Sequence, residues 1–456
     1  MPLPFDLVLR GGTVVQPSVG TFLADVAVSD GKIAAIVEPG TDLASKQVED
    51  VSGLHIFPGG VDPHAHIGAG GGLDEIEPDT GSAALGGVTT TFYILIDSGD
   101  YLATTPAYIE AINSKSRVDV SFHATLMTDG HITSLPALAE RFGITSFKYY
   151  MSFRGDEGLY LGVEGTDDGI FYDVLNAVAN IDGILAVHPE NIEIVWRLRE
   201  SLQHQGVDGL QAWDASRPAF VEAEALQRAA YLAVETGCRI YFVHISSRAA
   251  LDALVSSRDM HPGHSLHAET CPHYLTHFAS DPLGSLGKVN PPLRNRDDGE
   301  ALWEAIASGV IDTLGSDHVG RRREKKTGSI WEASAGFPGL ATTLPVLLSA
   351  GYHERGIPLH RIAEVNALAP ARIFGLSSRK GDIRVGLDAD LAVVDLQWER
   401  LPTAEVLGTW ADYSLYETTP LKGWPRQTYV RGEMVQRDGT LVPGPNAGRY
   451  VPRSEL

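Results

Sequence analysis

At 456 residues, 43% hydrophobic and 21% charged, the chain can hold one large domain of about 250 residues or more plus a smaller one, and its composition excludes a disordered protein. A formal net charge of -22 would repel a phosphate backbone, so nucleic acid is excluded as a partner. Two cysteines, Cys238 and Cys271, with no CxxC, cannot build a disulfide framework, which fits a reducing cytoplasm.

The opening stretch MPLPFDLVLRGG has an acid and no basic region before its few apolar residues, so it does not read as a signal peptide. No run of ~18 apolar residues offers a membrane span. Residues 5 to 37 give FDLVLRGGTVV and DVAVSDGKIAAIV, two alternating β runs with turns expected at Gly11-Gly12 and Asp30-Gly31. The style returns over residues 381 to 442 in DIRVGLDADLAVVDL, TYVRGEMV and QRDGTLV, with turns at Arg431-Gly432 and Asp438-Gly439. Both ends are expected to form one small β domain, 1–55 with 376–456, beside a central domain over 56–375.

Within that centre, TTTFYILI, VDVSFHATLM, SFKYYM, GILAVHP, RIYFVHIS, HSLHAET and DTLGSDH are separated by helical runs such as AEALQRAAYLAVETG. Such alternation specifies α/β architecture with parallel strands and crossover helices, and a TIM-like (β/α)8 barrel is expected. Catalytic groups of such barrels gather at the C-terminal ends of the strands. At those ends stand His64 and His66, Lys148, His188, His244 and Asp317, a ligand set for two metal ions.

Residues i and i+2 of a strand point the same way, so His64 and His66 can offer two imidazoles to one ion. A lone histidine is more often structural than a ligand, and that reading is kept for His123, His131, His267, His273 and His277. Ligand types at five strand ends, in this order, outweigh it for the others. An ammonium cannot ligate, but the neutral amine of Lys148 can take up carbon dioxide, giving a carbamate (N6-carboxylysine) with two oxygens for two cations; nearby cations favour loss of its proton. Asp317 can bind one ion through one oxygen and use the other to take the proton of a bridging water and pass it to the leaving nitrogen. The plainer alternatives are a snorkelling lysine and a helix N-cap.

GVDPHAHIG, GSAALGGVTT, SFKYYMS, VHPEN, FVHIS, ETCPHYL, VNPPLRNRDD, IDTLGSDH and KGDIRVGLDADLAVVDL together resemble the cyclic amidohydrolases: hydantoinase, dihydropyrimidinase, allantoinase and dihydroorotase. The resemblance covers nearly the whole chain. It implies His64, His66 and Asp317 as ligands of one zinc, His188 and His244 as ligands of the other, and carboxylated Lys148 as the bridge. It further implies a β-sandwich formed by both termini and a homo-oligomer, dimer or tetramer.

Departures from the family pattern bear on the substrate. The arginine that dihydroorotase-like sequences carry after HxH is replaced by Ile67-Gly68-Ala69-Gly70, which disfavours dihydroorotate. Five residues after the bridging lysine, where dihydropyrimidinases and many hydantoinases place a carbonyl-polarising tyrosine, stands Phe153, so carbonyl polarisation must fall to a metal or another donor, with Tyr149, Tyr150 or Tyr160 as the tyrosines to test. Asn290, where hydantoinases commonly have serine, could pair with a ring N–H and C=O; its plainer reading is a turn residue before Pro291-Pro292. Ala335 completes the expected substrate contacts with Phe153 and Asn290. Specificity is expected to reside in the loops 67 to 80, 152 to 168 and 319 to 337.

Gly68 to Gly72 misses GxGxxG because Leu73 fills the last position; these glycines are expected to form a mobile loop near the metals. The basic run Arg321 to Lys326 is expected to be a solvated loop. GxSxG, P-loop and HExxH are absent. The expected function is opening of a cyclic amide, hydantoin-type rings first, to an N-carbamoyl amino acid, with two zinc or other divalent ions and a bridging hydroxide as nucleophile. Allantoin, dihydropyrimidines or cyclic imides come second, and a non-catalytic scaffold relative of the family third.

Overall fold

The computed structural model describes residues 4–66, 68–155, 165–444 and 446–453. In chain order its strands are β1 (Phe5–Gln16), β2 (Gly20–Ser29), β3 (Lys32–Val37), β4 (Ser45–Asp50), β5 (His55–Pro58), β6 (Gly60–His66), β7 (Val88–Leu95), β8 (Asp119–Thr125) and β9 (Ser146–Tyr150). There follow β10 (Ile184–His188), β11 (Arg239–Phe242), β12 (Leu266–Thr270), β13 (Thr313–Leu314), β14 (His318–Val319), β15 (Leu391–Arg400), β16 (Leu421–Val430), β17 (Glu433–Arg437) and β18 (Thr440–Leu441).

β6 to β12 pair in parallel, each beside the next, while β13 adds to β12 and β14 to β6. These last two are halves of one strand, interrupted at Gly315-Ser316-Asp317, and together they close the ring into the eight-stranded TIM-like barrel. The strands are buried on both faces: all residues of β7, β8, β9 and β10 are buried, as parallel strands between a filled interior and a helix layer must be. Helices cover the outside with one stripe each. In Ala219–Thr236 that stripe is Val221, Ala225, Leu226, Ala229 and Ala233, and Gly237 (φ 71°) ends the helix in the left-handed conformation.

Both termini build the second sheet, in the order β18-β17-β16-β15-β5-β1-β2-β3, with β4 on β1. The N-terminal half of β1 pairs with β4 and its C-terminal half with β5, so the sheet branches there around a separate core of Leu7, Leu9, Val26, Val28, Ile56, Leu391 and Val393. The turn expected at Gly11-Gly12 is absent. β1 runs through it with a shift of register between Leu9 and Gly12, because Gly11 adopts φ 72° inside the strand and bends it. Asp30-Gly31, Arg431-Gly432 and Asp438-Gly439 all carry two consecutive positive φ angles, the signature of tight hairpin turns. The chain passes between the sheets at Gly59, where a Cβ would run into the Thr89 side chain. Among the described residues no helix is long and apolar enough to cross a membrane, and both cysteines are free and buried.

Candidate functional site

Strand β6 delivers His64 and His66, and the break in the eighth strand delivers Asp317 beside them. Asp317 Oδ1 lies 3.2 Å from both His64 Nε2 and His66 Nε2, and the ligand atoms of the three residues all fall within 4.8 Å of one another. Asp317 therefore sits inside the eighth strand's break, not beyond its end. Burial works against its charge, yet the imidazoles of His64 and His66 hold its carboxyl well below the usual carboxylate range.

On the far side of His64 the ring of His244 approaches to 5.5 Å between centroids, and His188 packs edge-on against His244 at 4.5 Å. Burial and neighbouring positive groups push His64 and His244 well below the ordinary histidine value, so both rings are neutral and keep a lone pair. Lys148 lies within β9 and not at its last residue, with Nζ fully buried and without a hydrogen-bond partner. Burial pushes its amine down to about 8. His244 Nδ1 is likewise buried and unpartnered.

An outer layer fixes these rings, and sequence reasoning assigned it no role. Glu269, at the end of β12, lies 2.8 Å from His64 Nδ1 and accepts from the Tyr241 hydroxyl at 2.8 Å and the His244 backbone N–H at 3.0 Å. With Nδ1 engaged, His64 turns Nε2 toward His66 and Asp317. Burial raises the Glu269 carboxyl to about 8. Glu190 holds His188 Nε2 at 2.6 Å and pairs with Arg217 at 2.8 Å; burial opposes its charge, but Arg217 and His188 bring its carboxyl down to about 2. Asp62 accepts from Ser316 N–H at 2.9 Å and Ser316 Oγ at 2.5 Å, tying β6 to the break in strand eight. Glu269 was visible only as part of ETCPHYL, and Glu190 only in HPEN, two residues after His188.

His244 (φ 44°) and Asp317 (φ 46°) occupy the left-handed region, uncommon for residues with a side chain and costing of order 1 kcal/mol or more each. Asp30, Asp182, Arg431 and Asp438 share this region at turns, whereas His244 and Asp317 hold it within the cluster.

Of the expected substrate contacts, Phe153 is half-buried and stacks flat on Tyr150 at 3.9 Å. Asn290 is half-buried with Oδ1 buried and unpartnered, and Ala335 is half-buried in the stretch before Gly336, whose N–H donates to the Lys288 carbonyl. His318 faces away from the cluster: Nε2 is 3.1 Å from Asp79 and Nδ1 accepts from the Gly339 N–H at 3.1 Å. Part of the second expected specificity loop, 156–164 with Tyr160, and Ile67 of the first lie outside the described residues.

Two loop expectations are corrected. Lys326 of the basic run is buried, not solvated, because Nζ donates to three carbonyls, those of Lys288, Ser334 and Gly336, at 2.8 to 2.9 Å. The glycine loop after His66 is held, since the N–H groups of Gly68, Gly70 and Gly71 all donate to the buried carboxylate of Glu75.

Comparison with known proteins adds to this geometry. A model of the amidohydrolase family matches residues 280–435. The chain is 32% identical to an L-hydantoinase of Paenarthrobacter aurescens over 460 residues, covering 98% of each protein, and 35% identical to an allantoinase of Solibacter usitatus over 464 residues, again covering 98% of each. The solved structure of an L-hydantoinase (dihydropyrimidinase) from Arthrobacter aurescens superposes with a TM-score of 0.92 at 31% identity, covering 98% of this chain and 100% of the other. With full-length likeness of this degree, the chain belongs to the amidohydrolase family, in its cyclic amidohydrolase branch, and is a hydrolase of cyclic amides.

Proposed function

We propose that the protein opens hydantoin-type rings to N-carbamoyl amino acids, using two divalent ions held by His64, His66, Lys148, His188, His244 and Asp317. One observation carries this reading. Neutral imidazoles, a buried carboxylate and an unpartnered amine converge where unmet polar groups would otherwise cost about 1–3 kcal/mol each. Such a donor set fits divalent cations, zinc first, because nitrogen and carboxylate ligands with lone pairs free are what zinc takes. His64, His66 and Asp317 would hold one ion and His188 and His244 the other. Bound there, the ions would activate water and polarise the ring carbonyl.

The chain's own residues supply the rest. Lys148, neutral when its amine gives up a proton, would add carbon dioxide at Nζ with loss of a second proton, and the carbamate so formed would join the residues that hold the ions. Asp317 would accept the proton of the attacking water and return it to the ring nitrogen as the C–N bond breaks. Asn290 Oδ1 is available to accept the ring N–H. A scaffold role without catalysis is the weaker reading, because every one of the six positions carries a ligand type.

Allantoin is the second reading, favoured by the 35% identity to an allantoinase; it has the hydantoin ring with a ureido substituent. A panel of hydantoins, allantoin, dihydrouracil, dihydroorotate and cyclic imides, assayed with zinc-loaded protein in bicarbonate, tests both. Turnover is expected first with 5-substituted hydantoins. Turnover of allantoin alone would select the second reading, and metal analysis finding no bound ion would return the scaffold.

A further inference from the structure

Lys148 and Tyr150 stand two residues apart on β9, so their side chains leave the strand on the same inward face, while Phe147 and Tyr149 leave on the other. Tyr149 behaves accordingly. Its ring stacks on Phe171 of the helix Asp168–Asn180 at 4.8 Å, and its hydroxyl donates to the Asp167 carbonyl at 3.0 Å, outside the barrel. Tyr150 is placed quite differently. The Lys148 amine lies 4.9 Å from its ring centroid, the His188 ring 5.6 Å away, and Phe153 covers its face at 3.9 Å with 13° between planes.

Held by these neighbours, the Tyr150 ring is buried and its Oη has no hydrogen-bond partner. A buried hydroxyl left unmet costs about 1–3 kcal/mol, a cost a plain core position would avoid by carrying phenylalanine. Beside the cluster of His188 and Lys148, the group that would satisfy it is a substrate oxygen.

We infer that the Tyr150 hydroxyl donates a hydrogen bond to the oxygen of the ring carbonyl under attack, the task for which Phe153 has no hydroxyl, and that Phe153 serves by stacking on the ring that does. This rests on the cyclic amide hydrolysis proposed above. As the water oxygen bonds to the carbonyl carbon, the C=O π electrons move onto that oxygen; the O–H of Tyr150 meets the growing charge without giving up its proton, and the electrons return when the ring C–N bond breaks. A donor aimed at developing charge strengthens in the transition state more than in the ground state, so its loss falls on kcat.

The test uses the zinc-loaded full-length enzyme with the most active ring of the panel, as wild type, Tyr150→Phe, and Tyr150→Phe/Phe153→Tyr. Tyr150→Phe keeps the stack on Phe153, so zinc content and melting temperature should stay unchanged while kcat falls by roughly 100-fold or more with KM altered less than about 3-fold. The double variant, with a hydroxyl restored three residues on, should recover part of kcat. A Tyr150→Phe enzyme with near-normal kcat overturns the inference, as does one that loses zinc and activity together, since the residue would then be supporting the metal cluster. Wild-type protein that opens no ring overturns the functional reading, and the inference falls with it.

Discussion

Lys148 and Lys380 are both fully buried, at opposite ends of the same barrel, and their surroundings are opposite. At the N-terminal end Lys380 Nζ is 2.7 Å from Asp119 and bonded also to Asp390, with Asp388 at 3.7 Å; burial would lower its pKa, but Asp390 and Asp119 raise it. Arg431 adds a second cation on Asp119, so β8 is pinned to the chain leaving the barrel. At the C-terminal end Lys148 has no hydrogen-bond partner and only the Tyr150 ring 4.9 Å away, and burial, against the pull of Asp317 and Glu269, lowers its pKa to about 8. A buried lysine ringed by carboxylates is structure. One without a hydrogen bond, among neutral imidazoles, fits the chemistry proposed above.

The contrast can be broken most directly at Lys148. Lys148→Ala should lose both bound metal and activity, with partial return on adding a short carboxylic acid with zinc, because the acid can replace carbamate oxygens. A fully active variant would make Lys148 as structural as Lys380. Asp317→Asn keeps the shape and one ligating oxygen but accepts no proton, so zinc should stay while kcat drops by roughly 100-fold or more; near-normal turnover would leave Asp317 a ligand only. One step further out, Glu269→Gln should weaken metal binding by about 10–100-fold, read by titration with zinc, since the carboxylate orients His64. Unchanged affinity would remove Glu269 from the site's design.

The opposite result is expected at Lys380. Lys380→Met leaves buried carboxylates uncompensated and should cost about 3–5 kcal/mol of stability by denaturant unfolding, with kcat of the folded enzyme unmoved. Smaller still, the two lysines should answer pH with opposite signs. Lys380 has its folded pKa raised, so its contribution is fully present below its unfolded value of about 10.4 and lost as pH rises through the folded value. In metal-free protein Lys148 titrates at about 8, below its unfolded value, so its burden is present at neutral pH and eases as pH climbs from about 8 to about 10. The stability gap between metal-free wild type and Lys148→Met should therefore narrow over that range, and a constant gap would contradict the bare-amine reading.

Sequence made the barrel and its upper rim readable because both rest on local signals: alternation of strand and helix, His64 and His66 two apart, and ligand types at strand ends. What it did not carry were relations between distant strands. Glu269 reaches His64 only once the split eighth strand closes the ring and brings β12 to one strand's distance from β6, and Asp62 reaches Ser316 only when strand eight pairs with β6. Lys326 looked like part of a solvated charge run, since nothing local announces three carbonyls waiting for it. Gly11-Gly12 carried turn chemistry, yet β1 has partners on both sides through that point and continues. Choosing Tyr150 from among the tyrosines needed to know which face of β9 looks inward, which a strand buried on both faces does not reveal by its burial pattern.

The barrel's ring is completed where β14 meets β6, by the short register His318 to Ala65 and Val319 to His66. Asp317 and the two histidines of β6 stand on either side of that seam. A cation held by His64, His66 and Asp317 would act as a staple between the first and last strands of the barrel, fastening a loop of chain that includes nearly the whole domain. Closing so long a loop removes much of the freedom of the unfolded chain, so the same ion that readies water for attack would also be the fastener against the barrel's unzipping. Hydrolytic competence and resistance to opening would then share a single set of bonds.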